Sequence, residues 1–106
     1  MIAQAYVLVI GDVIGVGFRA WTKIQSKATK TTGWVRNVYN KPDIFGPQGG
    51  VEVVVQGEKN AVEDMIDHIR EGSGISRVEH VEVLYQEPKE IFEEFSIYKS
   101  ESFLHR

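Results

Sequence analysis

The spacing of apolar residues along this chain changes period several times, and that succession restricts the fold more than any single motif. Tyr6-Val7-Leu8-Val9-Ile10 is a continuous β-branched and aliphatic run closed by Gly11. A short run of this kind reads as a strand buried on both faces or nearly so, hence central in its sheet. From Phe18 the interval becomes three and four. Trp21, Ile24 and Ala28 mark the apolar stripe of a helix, and Lys23, Lys27 and Lys30 form its solvated opposite stripe. Thr31-Thr32-Gly33 ends that helix, and Trp34 to Tyr39 alternates as a second strand. Asn40-Lys41-Pro42-Asp43 and Gly46-Pro47-Gln48-Gly49-Gly50 then mark a long connection.

The second half continues the succession without an internal repeat. Val51 to Gln56 reads as a third strand with Val51, Val53 and Val55 on one face. After Gly57, the residues Ala61, Val62, Met65, Ile66 and Ile69 fit an amphipathic helix that Gly72-Ser73-Gly74 stops. Val78, Val81, Val83 and Tyr85 predict a fourth strand, the acidic stretch Glu87 to Glu94 an exposed loop, and Phe95-Ser96-Ile97-Tyr98 a short last strand. The order β-α-β-β-α-β, with a short extra strand, is the α+β split-βαβ arrangement. It is a ferredoxin-like antiparallel sheet with two helices on one face. At 106 residues this is one domain, residues 1–106, with a core over about 4–99 and a frayed tail after Ser100.

Composition then narrows the chemistry. Without cysteine there is no disulfide framework, thiolate nucleophile or Cys-ligated metal site, which fits a reducing compartment. A net charge of −3 gives no global attraction for nucleic acid or anionic lipid, so an anion site has to be local. The apolar start, Ala5 to Phe18, has no basic region before it and carries Asp12, so it reads as structure rather than as a leader. No run approaches the roughly 18 apolar residues that span a bilayer. A soluble cytoplasmic domain is expected. His68, His80 and His105 have no metal-site spacing, and Trp21 and Trp34 read as packing residues.

Gly11-Asp12-Val13-Ile14-Gly15-Val16-Gly17-Phe18-Arg19 joins the first strand to the first helix. Glycines spaced in this way let backbone N–H groups converge on one point, and the helix start adds further donors and a partial positive charge. Arg19 is a cation in the first helical turn, a placement that opposes the helix dipole by roughly 0.3–1 kcal/mol unless an anion lies beside it. Gly15-x-Gly17-x-x-Ala20 fits a dinucleotide fingerprint, but Arg36-Asn37 stands where that fold needs an acidic residue, and the chain is too short for two nucleotide-binding halves. There is no Gly-Lys-Ser/Thr for a P-loop.

Gly15-Val16-Gly17-Phe18-Arg19, Gly33-Trp34-Val35-Arg36-Asn37, Val51-Glu52 and Gln56-Gly57 closely resemble the acylphosphatases, and the likeness extends over nearly the whole chain. The resemblance implies a cradle for phosphate made by Ile14, Gly15, Val16, Gly17, Phe18 and Arg19, with Arg19 as anion ligand and Asn37 holding the attacking water. It implies hydrolysis of a carboxylic–phosphoric anhydride to carboxylate and inorganic phosphate, with no metal or organic cofactor. The expected partners are a small acyl phosphate and the phosphate ion, with no nucleic acid and no membrane, and the protein is expected to be a monomer.

The residue chemistry points to the same substrate. One cation, backbone donors and a neutral amide contain no acid–base pair, so such a site works by positioning and charge stabilisation. At roughly 2.7–4 kcal/mol per preorganised donor, three groups supply about 8–12, the low end of enzymatic barrier reductions. Acyl phosphates tolerate that, because their carboxylate leaves without a proton. Two departures bear on the reading: Ile14 stands where the family usually has Gln or His, and the connection between Asn37 and Val51 is longer than the family's short turn. Both motivate an alternative, a non-catalytic phosphate- or partner-binding module. An RNA-recognition module shares the element order, but its third strand carries aromatics, whereas Val51 to Gln56 has none.

Overall fold

The computed structural model describes residues 1–100, so the expected frayed tail beyond Ser100 lies outside the described residues. The elements are β1 (Ile2–Asp12), α1 (Phe18–Thr29), β2 (Thr32–Val38), α2 (Pro42–Phe45), β3 (Gly50–Glu58), α3 (Lys59–Glu71), β4 (Arg77–Gln86) and β5 (Phe95–Ile97). They form one five-stranded sheet in the order β4-β1-β3-β2-β5. The βαββαβ order anticipated from the sequence is present, with one correction. The sheet is mixed, because the short β5 pairs parallel with β2, Gly33 opposite Phe95 and Val35 opposite Ile97.

Strand alternation sends odd-numbered residues of β1, β2 and β3 to the face covered by α1 and α3. Val7, Val9, Val35, Val51, Val53 and Val55 are fully buried there against Val62, Met65 and Ile69 of α3 and Phe18 of α1. α3 covers this face because it carries an apolar stripe that water does not solvate well, and α1 adds Phe18 and Trp21.

The expectation that β1 is buried on both faces is corrected. Ala5, Val7 and Val9 are buried, but Tyr6, Leu8 and Ile10 on the opposite face are only half-buried. The strand buried on both sides is β3, where Glu52, Val54 and Gln56 are enclosed as well as the valines. Glu52 is enclosed by polar partners, Arg36 and Tyr6. Gln56 accepts a hydrogen bond from the Phe92 N–H (2.9 Å) and donates to Glu90 O and Gln4 Oε1 (each 2.8 Å). The acidic 87–94 stretch is thus mostly exposed in its side chains, as expected, yet its backbone is docked on the sheet.

The stripe assigned to α1 is also corrected. Ile24 is 65% exposed and Ala28 is exposed, while Phe18, Thr22 and Ser26 are buried. Thr22 and Ser26 donate their hydroxyls to the carbonyls of Phe18 and Lys23, at 2.7 and 2.6 Å. With the polar group satisfied inside the helix, the small side chain packs as an apolar one. Hydrophobicity alone therefore selects the wrong face. Lys23, Lys27 and Lys30 are exposed as expected, and Trp21 packs against the core beside Phe18. Trp34 stacks on Tyr98 on the opposite face of the sheet, and His68 bridges α3 to Gln25 of α1 at 2.7 Å.

The long connection is held by one side chain. Phe45, at the end of α2, is 5% exposed, and a β carbon at Gly50 would fall inside its ring. Glycine at position 50 gives the ring its seat. Replacing Phe45 with alanine is expected to destabilise the protein by about 3 kcal/mol. A guanidinium titration would show this as a lower midpoint at unchanged slope.

Candidate active site

The cradle is shaped by two glycines in the left-handed region, Gly15 at φ +80° and Gly17 at φ +74°. A side chain at either position would strain the backbone, so the loop's turn depends on glycine. Gly17 also caps α1, whose start has neither a capping side chain nor an acidic residue in its first turn. The helix dipole is therefore met there by no anionic side chain of that turn, and its only charged residue is Arg19.

Arg19 is half-buried. Its Nη1 donates to the Tyr98 carbonyl at 3.3 Å and to Ser100 Oγ at 3.5 Å. Both partners are neutral oxygens, which orient the guanidinium without cancelling its charge. They follow directly after β5, so the parallel pairing of β5 with β2 brings the carboxyl-terminal segment to the first helix.

Asn37 lies near the end of β2 on the helix-covered face and is 5% exposed. Its Nδ2 donates to the Tyr39 hydroxyl at 3.3 Å. Its Oδ1 is buried and has no protein hydrogen-bond partner among the described residues. Buried acceptors are normally satisfied, so this oxygen keeps an unused hydrogen-bonding capacity.

Arg19, Asn37, Gly15, Gly17 and Phe18 share one recess of about 240 Å³, with Val13, Ala20 and Ile97 completing its wall. The structure thus brings five of the seven residues anticipated from the sequence to one place. The side chains of Ile14 and Val16 pack against the core instead. Ile14 also lines a neighbouring recess with Gln48 of the long connection. Their side chains are not part of the shared wall, although they remain in the loop that shapes it. Sequence reasoning missed Ile97, Tyr98 and Ser100, whose approach to Arg19 depends on long-range strand pairing. Tyr39 could have been found, since residues two apart in an extended chain share a side. Among the described residues, no group of three or more His, Asp or Glu converges as a metal site.

A glycine-shaped loop at a helix start, with a guanidinium and a buried amide on the same recess of a βαββαβ sheet, has the chemistry to receive an anion. Comparison with known proteins gives the family. The acylphosphatase family profile matches residues 5–97. An acylphosphatase from Moorella thermoacetica is 40% identical over 88 residues, 83% of this chain and 86% of the relative. One from Syntrophobacter fumaroxidans is 37% identical over 89% of each chain. Among solved structures, the acylphosphatase from Bacillus subtilis superposes with a TM-score of 0.78 at 32% identity, over 92% of this chain and 99% of that one. The chain belongs to the acylphosphatase family. It is an enzyme of that class, a hydrolase of acyl phosphates, and the non-catalytic module is not favoured.

Proposed function

We propose that the 14–19 loop and Arg19 hold the phosphoryl group of an acyl phosphate while Asn37 orients the water that attacks it. The observation that carries this reading is the shared recess, whose wall includes both Arg19 of α1 and Asn37 of β2. Backbone N–H groups and the guanidinium meet the phosphoryl oxygens, where charge concentrates as the bond breaks. Asn37 Oδ1 accepts a hydrogen bond from water and leaves the water's lone pair directed at phosphorus. The new P–O bond forms from that lone pair, and the bond from phosphorus to the bridging oxygen breaks. The carboxylate departs with the electron pair, and the water's proton passes to the phosphate and solvent.

This chemistry asks no side chain to act as a general acid, which suits a carboxylate leaving group. We further propose that the reaction is independent of metal and that the protein is a cytoplasmic monomer organised as one domain. No helix among the described residues is long and apolar enough to cross a membrane. Purified protein treated with a chelator is expected to hydrolyse benzoyl phosphate, releasing benzoate and inorganic phosphate in equal amounts. Phosphate binding in a calorimeter without turnover would overturn the reading in favour of a binding module.

A further inference from the structure

We propose that Tyr39, the second residue of the long connection, is a positioning residue for Asn37. This rests on the reading of Asn37 as the group that orients water. An asparagine amide is nearly symmetric in shape but not in chemistry. Its oxygen accepts a hydrogen bond and leaves the water's lone pair directed at phosphorus, whereas its nitrogen would donate to that lone pair and withdraw it from the reaction. Rotation of the amide by half a turn exchanges the two.

In the structure the oxygen is the end left open, and a bond from the nitrogen to Tyr39 fixes the plane in which the amide lies. Asn37 Nδ2 donates to the Tyr39 hydroxyl at 3.3 Å, and Oδ1 is left without a protein partner among the described residues. Residues 37 and 39 lie on the same side of the extended chain, while Val38 between them is fully buried.

The far end of the connection comes close to the phenol ring at Gly49, which is in the left-handed region at φ +86°. A β carbon there would stand 3.3 Å from Tyr39 Cδ1, 3.0 Å from Ile14 Cδ1 and 2.6 Å from the Val38 carbonyl. Position 49 is therefore a point where the connection, the start of the cradle loop and the Tyr39 ring meet closely. The extra length of the connection thus reaches the site through one aromatic ring. This links it to catalysis without making it a lid.

The test is Tyr39→Phe, which removes the hydroxyl and keeps the ring. With benzoyl phosphate as substrate, kcat is expected to fall about 3–10-fold, the range set by losing one neutral hydrogen bond. KM and competitive inhibition by inorganic phosphate, which report on the cradle and Arg19, are expected to stay within about twofold. In ¹⁵N-labelled protein, the Asn37 side-chain amide resonance, assigned by its loss in Asn37→Ala, is expected to shift in Tyr39→Phe. In the Asn37→Ala background, adding Tyr39→Phe is expected to change kcat less than about twofold, because the coupled partner is already gone.

Parent-level kcat in Tyr39→Phe would overturn the proposal, as would a loss confined to KM or an unmoved Asn37 resonance. An undiminished effect in the Asn37→Ala background would do the same. These failures differ from failure of the underlying reading, which would show as full activity in Asn37→Ala itself.

Discussion

Arg19→Ala is expected to lower kcat/KM for benzoyl phosphate by about 10³-fold or more, as for other arginines that meet a transferring phosphoryl group. Among the described residues, the guanidinium supplies the only side-chain cation in the recess, beside a helix start that already favours anions. Its fork matches two phosphoryl oxygens at once, so Arg19→Lys, which keeps the charge but loses the fork, is expected to recover only a small part of the activity. Inhibition by inorganic phosphate should weaken along with turnover. The fold should change little, since removing a cation that opposes the dipole, roughly 0.3–1 kcal/mol towards stability, offsets the loss of its two long hydrogen bonds to Tyr98 and Ser100. Steady-state kinetics and thermal unfolding of the same preparation check both halves. A variant within tenfold of the parent would remove Arg19 from the proposed site.

Asn37→Ala should separate from this in its kinetic signature. Orienting the water matters in the transition state and little in substrate binding, so the loss is expected in kcat, about 10²-fold, with KM nearly unchanged. Asn37→Asp keeps the shape and places an anion beside the cradle. Repulsion between like charges should then weaken phosphate inhibition as well as turnover. A loss confined to KM in Asn37→Ala would assign the residue to substrate binding instead of water.

Much of this site is legible in the sequence because its parts are local. Gly15, Gly17 and Arg19 lie within five residues, and a glycine loop between a strand and a helix has few other uses. Asn37 is legible through the family resemblance alone; a single asparagine in a strand has no pattern of its own. What escapes is set by distance along the chain. Tyr98 and Ser100 reach Arg19 only because β5 lies beside β2, and nothing in Phe95-Ser96-Ile97 announces a parallel partner.

The fold shows the same division. Element order follows from the change of apolar period, but the buried face of α1 does not, since Thr22 and Ser26 bury hydroxyls that hydropathy counts as exposed. Likewise the run Tyr6 to Ile10 looks more deeply buried than β3. In the structure the polar residues Glu52 and Gln56 close the second face of β3 through hydrogen bonds.

The short edge strand also bears on how long the enzyme stays in service. β5 contributes three residues to the sheet, with Gly33 N–H bonded to Glu94 O at 3.1 Å and Tyr98 N–H to Val35 O at 2.8 Å near its ends. An edge of this size opens far more readily than the valine-packed centre. Because Tyr98 and Ser100, which orient Arg19, come just after it, warming that frees β5 and its Phe95 should lower turnover before the valine-packed centre of the sheet unfolds. Working lifetime would then be limited by the rim of the sheet, and a change that extends the pairing of β5 should prolong activity without any alteration to the site.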